Sequence, residues 1–71
     1  MLNDLGAARA AIDYIESNLD RNLDLDTMAS QVKYSKYHLH RSFAQACGTT
    51  MGDYIARRRL TEAAKMLVLT D

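Results

Sequence analysis

Seventy-one residues, 48% of them hydrophobic and 25% charged, with a formal net charge of zero, suit one small globular domain and exclude a disordered or fibrous chain. No apolar run approaches the roughly 20 residues of a membrane span, and no basic segment followed by an apolar core opens the chain, so neither a membrane protein nor a secreted one is expected. A lone Cys47 cannot close an internal disulfide, which fits a reducing compartment, and the expected location is the cytoplasm.

The absence of proline, the presence of only three glycines and the abundance of Ala, Leu, Arg and Met favour an all-α fold. Four helices are predicted, over about residues 5–19, 25–32, 36–46 and 51–68, forming a single domain with no repeat or low-complexity segment. In the first, Leu5, Ala8, Ile12, Ile15 and Leu19 recur at spacings of three and four and form the expected core stripe, with Asp13 and Glu16 on a solvated side. Asp20-Arg21-Asn22 ends it. Asp24 then has the character of an N-cap, with Leu23 and Met28 placed to staple across the helix start. The second helix turns Leu25, Met28, Ala29 and Val32 to the core.

Only Lys33 and Tyr34 separate Val32 from Ser35, so the third helix must leave the second at a sharp angle, as in a helix-turn-helix. Ser35 is the expected N-cap, accepting from the N–H of His38, and Tyr34 can staple against Leu39. At about 100° per residue, Leu39, Ser42, Phe43 and Ala46 share one side of this helix; Tyr37, His40, Arg41, Ala44 and Gln45 share the other. The first side is expected to pack. The second carries donors suited to a DNA groove: Arg41 can make a fork to guanine, His40 and Gln45 can donate or accept, and Tyr37 adds a ring tipped by a hydroxyl. Gly48 ends the helix in a left-handed cap, and Thr50-x-x-Asp53 opens the fourth.

The net charge of zero hides a division along the chain. Residues 1–26 carry six acids against Arg9 and Arg21, a net of −4, whereas residues 27–71 carry seven bases against Asp53, Glu62 and Asp71, a net of +4. Such two-sidedness permits one face to meet phosphates. The fourth helix is also two-sided: Met51, Tyr54 and Ile55 share one face, while Leu60, Ala63, Ala64 and Leu67 lie nearly opposite, with Arg57-Arg58-Arg59 at the changeover. One small core does not cover both faces, so the second stripe is expected to meet another body. The three arginines sweep almost a full turn; at most two can face one phosphate strand.

Several residues together resemble the AraC/XylS family of bacterial transcription regulators, especially its MarA/SoxS/Rob subgroup. They are Leu25-x-x-Met28-Ala29, Tyr34-Ser35-Lys36-Tyr37-His38-Leu39-x-Arg41-x-Phe43, Gly48, and Tyr54-Ile55-x-x-Arg58-Arg59-Leu60-x-x-Ala63. The resemblance implies a first helix-turn-helix subdomain plus its linker helix, with the family's second subdomain outside this chain. It also implies double-stranded DNA as the partner: Tyr37, His40 and Arg41 at base edges, and Ser35, Lys36, Gln45, Arg57 and Arg58 at the sugar–phosphate backbone. A second subdomain, an effector domain or RNA polymerase would be the protein partners. Three positions depart from the family pattern: Tyr37 and His40 stand where the subgroup commonly has Trp and Gln, and Lys33 is the third. Lys33 occupies a turn position that is usually Gly.

The remaining signals have plainer readings. His38 and His40 point about 200° apart on a helix and cannot grip one metal ion. Cys47 lacks a His or acidic neighbour at a catalytic spacing and sits near a helix C-terminus, which does not favour a thiolate. No catalytic residue, metal or cofactor is expected. The alternative to DNA binding is a protein-interaction or weak self-association module that uses Leu60, Ala63, Ala64 and Leu67 as a partner-helix face.

Overall fold

The computed structural model describes residues 5–70, with side chains to residue 67. Among them are four helices and no strand: α1 (Leu5–Ser17), α2 (Leu25–Val32), α3 (Lys36–Cys47) and α4 (Met51–Thr70). The all-α expectation holds, and the starts of all four helices fall where the sequence places them.

α1 ends two residues early. The N–H of Asn18 donates to the Ile15 carbonyl and that of Arg21 to the Asn18 carbonyl, both at 3.0 Å, a tighter winding than an α-helix. The Asn18 side chain takes the Tyr14 carbonyl at 2.8 Å, so the helix end is satisfied without a further turn. The core stripe of α1 also differs from the expected one. Leu5 is 63% exposed and Ile12 only half-buried, while Ala7, Ala8, Ala11 and Ile15 are buried. Three of these are alanines, whose small side chains let another helix lie close. α3 fills that position, and the α1–α3 pairing is the most extensive in the molecule.

The connections are set locally. At the start of α2, Asp24 accepts from the Thr27 N–H at 3.1 Å and from the Thr27 hydroxyl at 2.8 Å; this double acceptance holds the Asp24 carboxyl below its usual range. α2 then stops because Lys33 adopts a left-handed conformation, φ 66° and ψ 37°, which lets both Lys33 and Tyr34 donate to the Ala29 carbonyl. Ser35 caps α3 through its hydroxyl, 3.0 Å from the His38 nitrogen, and the Tyr34 ring stacks on that of His38 at 5.4 Å. Gly48, at φ 72°, closes α3, and the Thr50 hydroxyl caps α4 at the Asp53 N–H.

Ala7, Ala11, Ile15, Met28, Leu39, Phe43 and Met51 form the core cluster. Leu39, Ser42 and Phe43 occupy the packing side of α3 as expected, but Ala46 is exposed, because the last turn of α3 runs past the core and leaves residues 44 to 47 in solvent. α4 is held only at its first half. Met51 is buried, and the Tyr54 ring stands edge-on to Phe43 at 5.3 Å. From Arg59 to Leu67 every residue but Glu62 is exposed, which makes the molecule an elongated body of 49 × 23 × 15 Å.

A polar tie fixes the angle at which α4 leaves. The Glu16 carboxylate on α1 accepts from the Tyr54 hydroxyl at 2.6 Å and from Arg58 Nε and Nη2 at 2.8 and 2.7 Å. Arg58 also reaches Glu62 one turn further along α4, at 3.2 Å. Next to it, Arg59 donates to the carbonyls of Leu19 at 3.1 Å and Arg21 at 2.6 Å, in the turn that follows α1. The Arg58 fork, followed by the Tyr54 hydroxyl, lowers the Glu16 pKa from 4.5 to about 2.

Two tests follow from this architecture. A lysine in the left-handed region costs on the order of 1 kcal/mol, partly offset by the extra freedom glycine has when unfolded, so Lys33→Gly stabilises the fold by about 0.5 kcal/mol in urea unfolding while Lys33→Ala is near neutral. Because Glu16 is depressed in the folded state, its contribution is fully present above pH 4.5 and is lost as pH falls toward 2. Glu16→Gln therefore has a lower urea midpoint than wild type at pH 7, and the two midpoints converge toward pH 2.

Candidate nucleic-acid interface

Two consecutive helices joined through the left-handed Lys33 place α3 across the molecule with one side committed to α1. Its opposite side is open. Tyr37 is 69% exposed, and His40, Arg41, Ala44 and Gln45 are exposed beside it, which gathers the residues expected to read a groove onto one surface. Tyr37 and Arg41 are coupled: Arg41 Nη1 donates to the Tyr37 hydroxyl at 3.1 Å, and its guanidinium carbon lies 5.6 Å from the centre of the tyrosine ring.

His40 sits at the border of this surface. It lines a small apolar cleft of about 210 Å³ with Leu23, Leu25, Met28, Met51 and Ile55, formed where the starts of α2 and α4 meet α3. His38 lies against Tyr34 instead, so the two histidines occupy different surroundings. Lys36 at the first position of α3 is engaged: its ammonium is 2.7 Å from the Asp26 carboxylate, and both side chains are more than half exposed. The hydrogen bond to Asp26 raises the Lys36 pKa. Surface pairs of this kind contribute little and yield readily to a competing anion. Ser35 is exposed with its hydroxyl already accepting as the N-cap.

The arginines of α4 separate into different roles. Arg57 is exposed. Arg58, with 28% of its side chain accessible, is committed to Glu16 and Glu62, and Arg59 to two backbone carbonyls. Glu16 and Tyr54 were not among the expected site residues. Tyr54 and Arg58 meet at Glu16 through bonds that join residues 38 and 42 apart in sequence, and neither separation leaves a local signature. Beyond the tie, Leu60 and Leu67 are each 72% exposed, with Ala63 and Ala64 exposed between them, so the expected uncovered stripe is present. No helix among the described residues is long and apolar enough to cross a membrane.

A helix-turn-helix domain family matches residues 28–71, from the middle of α2 through α4. The transcriptional activator AarP of Providencia stuartii is 47% identical over 58 residues, covering 82% of this chain and 43% of that protein. The multiple antibiotic resistance protein MarA of Salmonella typhimurium is 41% identical over 56 residues, 79% of this chain and 44% of its own length. The right origin-binding protein of Escherichia coli K12 is 39% identical over 69 residues, 97% of this chain and 24% of that protein. The chain thus spans less than half the length of these relatives. No solved structure matches it. The capped turn, the open side of α3 and these relatives agree: the chain belongs to the AraC/XylS family of helix-turn-helix transcription regulators.

Proposed function

We propose that this chain is a sequence-specific binder of double-stranded DNA, with α3 in the major groove. One observation carries the reading: α3 is held by Leu39, Ser42 and Phe43 on one side and presents Tyr37, His40 and Arg41, all exposed, on the other. A helix supported in this way keeps its exposed donors in a rigid register, which is what reading base edges demands. Arg41 offers a bidentate fork to guanine. His40 and Gln45 border the contact from either side, Gln45 toward the backbone.

Phosphate contact falls to Lys36 and Arg57, with the Ser35 end of α3 close to the strand. Arg58 is better understood as a structural residue, because a phosphate would have to displace the Glu16 carboxylate that it grips with two nitrogens. α4 then serves as the linker helix of a first subdomain, and its stripe of Leu60, Ala63, Ala64 and Leu67 receives a second helical unit of the regulator. Relatives named as a transcriptional activator and a transcriptional regulator favour this assignment over a stand-alone association module. A target on the bacterial chromosome implies that the protein works in the cytoplasm.

Few phosphate contacts give a shallow hold. The expected affinity of this chain alone is about micromolar at best, with a log–log salt slope of roughly −2 for two neutralised phosphates. Arg41→Ala removes discrimination at one or two base pairs, worth about 1–3 kcal/mol, in selection from a randomised duplex. Arg57→Ala weakens all sequences alike and makes the salt slope shallower by about one. An Arg41→Ala protein that selects the same sequence as wild type overturns the assignment of α3 as the reading helix.

A further inference from the structure

We infer that Tyr37 is a positioning residue for Arg41: the phenol holds the arginine fork in place before DNA arrives, and its effect on sequence preference passes through that fork. The inference rests on the major-groove reading of α3 and adds a division of labour within it.

The two residues are one helical turn apart, the spacing at which side chains on a helix meet. Arg41 is held to Tyr37 in two ways at once. Its Nη1 donates to the phenol oxygen at 3.1 Å, and its guanidinium carbon is 5.6 Å from the ring centre, within the range of cation–π attraction. Tyr37 is 69% exposed, so the ring is not needed to fill the core. An arginine on an open surface otherwise samples many rotamers, all but a few of which are unsuited to a guanine edge. Tyrosine has only two side-chain torsions and is the stiffer partner. Side chains on a helix lean toward its N-terminus, and Tyr37 is the second residue of α3, so the tether draws the guanidinium toward the end of the helix that meets base edges in helix-turn-helix proteins. Accepting from one nitrogen uses one of the five N–H groups of arginine and leaves the others to form a bidentate pair.

Tyr37→Phe is the informative change, because it keeps the ring and its stacking while removing the acceptor, alters no charge and leaves the core untouched. The reference base pair is the one at which Arg41→Ala abolishes preference. Competition binding at that pair is measured for wild type, Tyr37→Phe, Arg41→Ala and the double variant. Discrimination is expected to fall roughly three- to tenfold in Tyr37→Phe, the worth of one hydrogen bond, with non-specific affinity and salt slope unchanged. In the Arg41→Ala background, Tyr37→Phe has no further effect. Without DNA, the Arg41 Nε–Hε group becomes more mobile in Tyr37→Phe by NMR relaxation, at an unchanged thermal midpoint. The inference is overturned if Tyr37→Phe discriminates as wild type does, or if it loses preference equally with and without Arg41, since the hydroxyl then reads a base itself. A wild-type chain with no sequence preference at all overturns the DNA reading, whereas a preference that survives Tyr37→Phe overturns this inference alone.

Discussion

How closely α1 lies against α3 decides what the rest of the molecule can present. The contact is made through Ala7 and Ala11, with Ile15 at its end, and meets Leu39 and Phe43 in the buried cluster. Small side chains bring the backbones together, so α3 gains most of its support from one neighbouring helix, with Met28 of α2 and Met51 and Tyr54 of α4 completing it. That economy matters in a chain of this size, where few apolar side chains are available and a core is only marginally able to offset chain entropy. Burying α3 on one side also leaves its opposite side without competing demands, and residues there are free to be chosen for chemistry rather than packing.

A second constraint operates at the other end of the core. Glu16 brings α1 and α4 together through a hydroxyl and a guanidinium, and Tyr54 joins that polar tie to the core by standing against Phe43. The acidic N-terminal third and the basic remainder are therefore not simply two surfaces of opposite sign. Part of the charge division is consumed internally, by Glu16 with Arg58 and by Asp26 with Lys36. What remains on the exposed side of α3 is a small, local excess of positive charge, centred on Arg41.

Signals confined to four or five residues were fully legible in the sequence. Asp24, Ser35, Gly48 and Thr50 each cap through a neighbour three or four positions away, and the helix starts follow from them. The sides of α3 were legible for the same reason, as far as its last turn. The face of α1 was not, because a pattern weighted by hydrophobic size selects Leu5 and Ile12 over Ala7 and Ala11, whereas close helix approach rewards the small residue. The end of α1 depended on Asn18 folding its side chain back onto Tyr14, a competition between side chain and backbone that periodicity does not register. The separation of Arg57, Arg58 and Arg59 into different roles needed the angle between α1 and α4, and no spacing in the sequence encodes that angle.

The free-standing half of α4 has a geometric consequence. Anchored from Met51 to Arg59 and unsupported afterwards, it converts residue count into direction. One residue added beyond Arg59 advances whatever the helix carries by about 1.5 Å and swings it by about 100°, whereas seven advance it by about 10 Å and return it to within about 20° of its starting azimuth. A single deletion in this segment would therefore leave every side chain of the anchored half in place while rotating everything beyond it by about 100°.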